Sequence, residues 1–314
     1  MHSAATLATK PYAPYPLTED AAEFGLESTV VSHVLGSIVA RHLPTRGSPR
    51  ATLFLHGAAG SWSTWTPVLQ AARESGAVVD EPVLFDLPGW GEARLTDSPG
   101  SHTIDVVCEL VRTAALELGY TQWDLVGHSM GGFIALHMAA RWPDNVRSVV
   151  MVSGTTWSLI ESVEHPVRRF RALPGFVMLW RVMAFLAALG AFGRSLVRAL
   201  DGAGLLRPAV FPLFRHPFRL NSSVVDALSR EIRPRSFVSA VEITRGYDPD
   251  HAWTGVTCPV TAIKGDRDVF VRDSDLSRLT ALLPASHIVI VADCGHFANV
   301  ERPGAVLSAM AANR

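Results

Sequence analysis

Ser129 stands between two glycines in Gly127-His128-Ser129-Met130-Gly131, directly after the apolar run Trp123-Asp124-Leu125-Val126 and just before Phe133-Ile134-Ala135-Leu136-His137-Met138-Ala139-Ala140-Arg141. This is the spacing that a strand, a sharp turn and a helix require around a nucleophilic serine. The turn forces the serine into a strained backbone conformation, and side chains two residues to either side would collide with neighbouring backbone. Glycine at 127 and 131 removes those collisions. A serine hydroxyl is a weak nucleophile near neutral pH, so the chain must also supply a base to take its proton and a carboxylate to orient that base.

On an open sheet of this kind the order along the chain is serine, acid, histidine. His56, His102 and His128 precede the serine, His137 falls on the helix after it, and His165 and His216 lie in a helical stretch further on. His251 precedes the strand that bears the acid, and His287 begins a strand instead of ending one. His296 remains, in Asp293-Cys294-Gly295-His296-Phe297, just past the last predicted strand, and is the expected base. For the acid, Ile263-Lys264-Gly265-Asp266-Arg267-Asp268 follows a strand and offers two aspartates. Asp268 is preferred, with Val269-Phe270-Val271 expected to pack behind it; Asp266 is the reserve. The end of the preceding strand, Val152-Ser153-Gly154-Thr155, offers no carboxylate.

Attack on an acyl carbon makes an oxyanion that needs two preorganised backbone donors. The Met130 amide, at the start of a helix, is one expected donor. The other is assigned to Ala58, in the small-residue loop Leu55-His56-Gly57-Ala58-Ala59-Gly60. Trp62, Trp180, Met183, Phe270 and Phe297 are the expected substrate-contacting side chains. For Trp62 and the nearby Trp65, packing against the next helix is the competing reading. Cys294 reads as a small buried hydrophobe.

The elements that must position these residues are readable as well. Residues 28–43 read as two short strands joined near Gly36, and apolar strands are predicted at 51–55, 82–85, 123–126, 147–152, 259–263 and 287–291. Residues 103–118, 130–141 and 303–312 carry apolar residues at helical spacing. Near-continuous apolar strands separated by helices imply an α/β fold with a mostly parallel, doubly wound sheet, whose ligands sit at the carboxyl ends of its strands.

The alternation stops after Val152 and resumes at Pro259, so residues 1–153 and 247–314 are expected to form the core and 154–246 an inserted helical cap. The insertion holds thirteen Arg, no Lys and six acidic residues, a net +7, which leaves −8 for the remainder of a chain whose total is −1. A near-neutral total argues against nucleic acid as a partner. Two readings compete for Phe176, Leu179, Trp180, Met183, Phe185 and Leu186: plain packing, or an apolar acyl pocket beneath a positive rim built from Arg168, Arg169, Arg171, Arg194 and Arg198. Such a rim would attract anionic substrates or make transient contact with an anionic lipid surface. The apolar run 176–193 contains Arg181 and is expected to be a buried or lid helix instead of a span.

Three cysteines without C-x-x-C spacing fit neither a disulfide framework nor a zinc site, and residues 1–23 do not resemble a signal peptide, so a cytoplasmic location is expected. Glu164-His165 lacks a second histidine at metal spacing, and no phosphate-binding or dinucleotide fingerprint occurs. No metal or organic cofactor is expected. Oligomeric state is not written in the sequence.

His56-Gly57, Asp86-Leu87-Pro88-Gly89-Trp90-Gly91, the Ser129 turn, Gly265-Asp266-Arg267-Asp268 and Gly295-His296-Phe297 together resemble the α/β-hydrolase superfamily, in its serine-hydrolase, esterase- and lipase-like branch. The resemblance implies hydrolysis of a carboxylic ester of a largely apolar small molecule through an acyl-enzyme. Serine at position 129 separates the chain from the superfamily's dehalogenases and epoxide hydrolases, which use aspartate there. Carbon–carbon bond (vinylogous diketone) hydrolysis is the first alternative, since Asp268-Val269-Phe270-Val271 and Ser129-Met130-Gly131-Gly132 look similar to that group, although Ala58-Ala59-Gly60 differs from its usual loop. Thioesterase, lactonase and side perhydrolase activities use the same triad, and a non-catalytic binding relative is the non-enzyme alternative.

Overall fold

The computed structural model describes residues 11–33, 36–95, 103–167 and 170–313. His102, Arg168 and Arg169 lie outside them. Eight strands form one sheet in the order β1-β2-β4-β3-β5-β6-β7-β8. They are β1 (Glu27–His33), β2 (Gly36–His42), β3 (Arg50–Leu55), β4 (Pro82–Asp86), β5 (Gln122–His128), β6 (Val146–Val152), β7 (Val260–Gly265) and β8 (His287–Val291). β2 runs antiparallel to both β1 and β4; every other neighbouring pair is parallel. β3, β5 and β6 sit at the centre, covered on both faces, which is why they read as Leu, Val and Ala with little polar alternation.

The helices are α1 (Thr66–Ser75), α2 (Ile104–Glu117), α3 (Met130–Arg141), α4 (Trp157–Glu164), α5 (Pro174–Ala188), α6 (Gly190–Gly202), α7 (Arg207–Val210), α8 (Ser222–Arg230), α9 (Pro234–Glu242), α10 (Pro249–Ala252), α11 (Asp273–Leu282), α12 (Ala298–Glu301) and α13 (Pro303–Ala312). α2, α3 and α11 contribute to the apolar layer on one face of the sheet, and α1 and α13 to the layer on the other. A separate apolar cluster binds α4, α5, α6, α8 and α9 to one another and to Phe297 and Val300 of the sheet domain.

Parallel strands end at the same edge of the sheet, so the segments after β3, β5, β6, β7 and β8 meet there. Ala58, Ser129, Ser153, Asp268 and His296 all occupy that edge. α5 and α6 meet at a bend of 120°, and no single described helix is long and apolar enough to cross a membrane.

Candidate active site

β5 delivers the chain to Ser129, which has φ 51° and ψ −115°, and α3 begins at the next residue. A non-glycine residue in that region costs on the order of 1–3 kcal/mol, so surrounding contacts must hold it. The Ser129 amide donates to the Val152 carbonyl at 2.9 Å, and its carbonyl accepts from the amides of Gly132 at 3.0 Å and Thr155 at 3.0 Å. The two flanking glycines are required by space. A Cβ at Gly127 would land on the Gly131 carbonyl, and one at Gly131 on the Leu55 carbonyl.

His296 Nδ1 lies 3.0 Å from Asp268 Oδ1, with the side chains only 4% and 0% exposed. The same carboxylate oxygen accepts from the Phe270 and Val271 amides at 2.8 and 3.2 Å. Burial opposes ionisation of Asp268, yet the facing imidazole and these amides hold its pKa below the ordinary carboxylate value. An acceptor at Nδ1 places the proton on that nitrogen and leaves Nε2 with a lone pair. Asp266 does something else: exposed, it accepts from the Cys294 amide at 3.0 Å and ties the ends of β7 and β8 together. Val269 does not pack behind Asp268 as expected; it is half exposed, and the neighbouring amides take that part.

Three supporting groups carry no sequence signature of their own. His128 Nε2 donates to the His296 carbonyl at 3.0 Å, and burial, followed by the nearby His296, pushes its pKa well below the usual histidine value. Glu301, fully buried, collects the amides of Gly295 and Phe297 in the His296 loop, the Arg215 amide at 3.0 Å and the Tyr12 hydroxyl at 2.9 Å. Tyr12 in turn accepts from the His216 amide at 3.0 Å, and the His296 amide donates to the Leu213 carbonyl at 2.8 Å. The only advance hint of Glu301 is a carboxylate five residues after the base within Phe297-Ala298-Asn299-Val300-Glu301. His56 is structural: Nδ1 donates to the Gly57 carbonyl at 2.7 Å, and Nε2 accepts from the Leu87 amide at 2.9 Å. Cys294 is buried, and that burial pushes its thiol well above the ordinary range.

Ser129 and His296 line one cavity of about 80 Å³ together with Ala58, Met130, Phe270 and Phe297. Among the described residues neither the Ala58 nor the Met130 amide donates a hydrogen bond within the protein, and Met130 opens α3, where the helix field favours negative charge. Much of the remaining wall comes from α5 and α9, through Phe176, Leu179, Phe237 and Val241, with Phe133 of α3, Leu159 of α4 and Leu213 adding to it.

Three expected contacts are corrected. Trp62 faces away from the cavity, buried under the Arg41 guanidinium at 5.2 Å. Trp180 and Met183 lie on the buried side of α5 but within the packed cluster, because the cavity-lining residues Phe176 and Leu179 sit further toward the start of that helix. Trp65 is fully buried against Phe54. Phe185, considered for the acyl pocket, is 64% exposed.

A family model described as alpha/beta hydrolase family matches residues 52–309, and the chain belongs to that family. It is 26% identical over 275 residues to a 2-hydroxy-6-oxononadienedioate/2-hydroxy-6-oxononatrienedioate hydrolase of Klebsiella pneumoniae, covering 85% of this chain and 88% of that one. It is 27% identical over 260 residues to an Enterobacter cloacae protein assigned as carbamate hydrolase RutD, covering 83% and 89%. Among solved structures, the enol-lactonase of Burkholderia xenovorans LB400 superposes with a TM-score of 0.67 at 18% identity, over 90% of this chain and 98% of the other.

Proposed function

We propose that this hydrolase cleaves a carboxylic ester with an apolar acyl group through an acyl-enzyme on Ser129. The observation that carries the reading is the composition of the Ser129 cavity: the Asp268–His296 pair reaches it, two unengaged amides border it, and among the described residues no Arg, Lys, Asp or Glu lines it. An uncharged wall suits a neutral apolar acyl chain. His296 Nε2 takes the Ser129 proton as Oγ attacks the acyl carbon, while Asp268 holds the opposite ring nitrogen and favours the imidazolium. The Ala58 and Met130 amides receive the oxyanion. His296 then protonates the leaving alcohol, and water, deprotonated by the same nitrogen, releases the acid and restores Ser129. The test is a series of nitrophenyl esters of increasing acyl length with covalent labelling by a fluorophosphonate. Turnover and labelling, both lost in Ser129→Ala, are expected; zero turnover on every ester removes the reading, and absence of labelling removes the enzyme.

Carbon–carbon bond hydrolysis of a vinylogous diketone is the second reading, favoured by the name of the Klebsiella relative. A diketone turned over faster than any ester would put it first. We also propose that the insertion, residues 154–246, acts as the cap over this site and touches anionic lipid surfaces. Met178, Val182 and Phe185 form an exposed stripe on α5, Phe192 lies exposed on α6, and exposed arginines flank them. Sedimentation with anionic but not zwitterionic vesicles is the expected result; no binding to either ends that part of the reading.

A further inference from the structure

A second and larger cleft, of about 510 Å³, opens between α6, the start of α9 and the loop 89–95. Among the described residues five arginines line it, Arg194 and Arg198 from α6 and Arg230, Arg233 and Arg235 from the α8–α9 corner, and Asp201 is the only carboxylate. Three of the five are already engaged, Arg235 among them. Arg233 donates to the carbonyls of Gly89 at 3.2 Å and Gly91 at 2.9 Å and pairs with Glu231 at 3.0 Å; Arg230 reaches Glu19 at 2.5 Å. Arg194 and Arg198 have no carboxylate partner among the described residues; Arg198 only approaches Ser195 Oγ at 3.5 Å. Guanidinium groups gathered around a partly enclosed space repel one another, and their planar donor forks match the oxygens of a carboxylate or phosphate.

The cleft is not isolated from Ser129. It shares Leu95 and Ser236 with a narrow passage of about 20 Å³, and that passage shares Met130 and Ala240 with the Ser129 cavity. α9 is common to all three: Pro234 and Arg235 border the cleft, Ser239 the passage, and Phe237 and Val241 the cavity. Met130, whose amide is the proposed oxyanion donor, walls both the passage and the cavity. The acyl group fills the uncharged cavity, so what points along the passage is the leaving alcohol.

We infer that the arginine cleft is a binding site for an oxyanion, carboxylate or phosphate, carried on the alcohol side of the substrate and reached along α9 from Ser129. This rests on the reading of Ser129 as nucleophile, and it narrows the substrate class to apolar acyl esters of an anionic alcohol.

Butyrate esters of three alcohols of matched length, one neutral, one ending in a carboxylate and one in a phosphate, give the test. The expected result is a kcat/KM for the charged esters about 10- to 100-fold above the neutral one, expressed in KM and weakened by salt. The double variant Arg194→Ala/Arg198→Ala is expected to bring that ratio near one, and Arg194→Lys/Arg198→Lys to restore part of it. Arg181→Ala, exposed on α5 away from the cleft, is expected to keep the ratio. The stronger of the two charged esters identifies the head group. A ratio near one in the unmodified protein, or a ratio the double variant leaves intact, overturns the inference. A parallel calorimetric titration of the three alcohols into Ser129→Ala protein separates the two readings. Binding of the charged alcohols that the double alanine variant loses supports the cleft even where no ester turns over, a result that would reject the nucleophile reading alone. No binding of either charged alcohol, with esters turned over indifferently to charge, rejects the cleft alone.

Discussion

At the turns on the edge of the sheet one added carbon has nowhere to go, whereas at the outward-facing helix glycines Gly175 and Gly202 it meets open space; Gly193, packed on the Leu186 carbonyl where α5 and α6 bend, sides with the sheet edge. A Cβ at Gly127, Gly131 or Gly265 would fall on main-chain carbonyls; at Gly175 and Gly202, on α5 and α6, nothing lies within 4 Å. Backbone cannot yield as a side-chain tip can, so the turn that presents Ser129 is determined to a fraction of an ångström. The insertion is determined by side-chain packing on one side only, and exposes Met178, Phe185 and Phe192 on the other. Charge divides in the same way, with +7 in residues 154–246 against −8 in the rest. On the proposed function, bond breaking falls to the rigid, acidic part of the molecule and substrate choice to the looser, basic part.

The sharpest way to break this contrast is at the acid. Asp268→Asn should lower kcat by about 10³- to 10⁴-fold, because the amide favours the wrong tautomer of His296, while the melting temperature moves little. Steady-state kinetics beside calorimetry would decide, and a mild kinetic effect would mean that the acid is elsewhere. Next in size is the backbone itself. Gly131→Ala should cost about 3 kcal/mol or more through its clash with the Leu55 carbonyl, or prevent folding. The paired Gly175→Ala should be neutral or stabilising by about 0.5 kcal/mol in urea titrations, since alanine is the better helix former. Equal effects at the two positions would erase the distinction.

A smaller effect is expected at Glu301→Gln, where an amide offers one acceptor oxygen in place of two to the donors it gathers. kcat should fall about tenfold with KM nearly constant, and the loss should vanish in a variant already lacking His296. Per pH unit and per group, the most gradual effect is a dependence on acid. His56 and His128 are held neutral by burial, with folded pKa values below the ordinary 6.5. Below pH 6.5 the unfolded chain takes up protons that the folded protein refuses, so stability must fall with pH, by up to about 1.4 kcal/mol per pH unit for each such histidine. Asp268 works at lower pH: its depressed pKa contributes stability above the unfolded carboxylate value, lost as pH falls through the folded one. Urea unfolding between pH 7.5 and 5 should show the histidine slope, shallower in His128→Asn; an unchanged slope would mean that His128 is protonated in the folded state.

Legibility in the sequence follows the same division. The Ser129 turn and all eight strands are readable because each depends on residues adjacent in the chain, glycines where backbone crowds and apolar runs where a strand is covered twice, whereas Asp268 and His296 are reached from strand ends and from the order serine, acid, histidine along the chain. Periodicity marks α2, α3 and α13 but not α1 or α11, whose buried stripes are interrupted by polar residues. The cavity wall was least legible. α5 is apolar all round except for Arg181, so spacing cannot say which face turns inward, and Trp180 and Met183 were as plausible from composition as Phe176 and Leu179. Glu301 and His128 act through main-chain groups distant in sequence, and such contacts leave no local pattern.

Tyr12 and Glu301 are 289 residues apart, yet their hydrogen bond belongs to the knot beneath the His296 loop, which also takes in Arg215 and His216 from the insertion. The loop that carries His296 is therefore secured only after segments around residues 12, 215 and 301 have found one another. A molecule in which those segments have not met would hold Ser129 on a well-made turn beside a slack histidine. In this architecture the geometry at His296 serves as a read-out of long-range assembly.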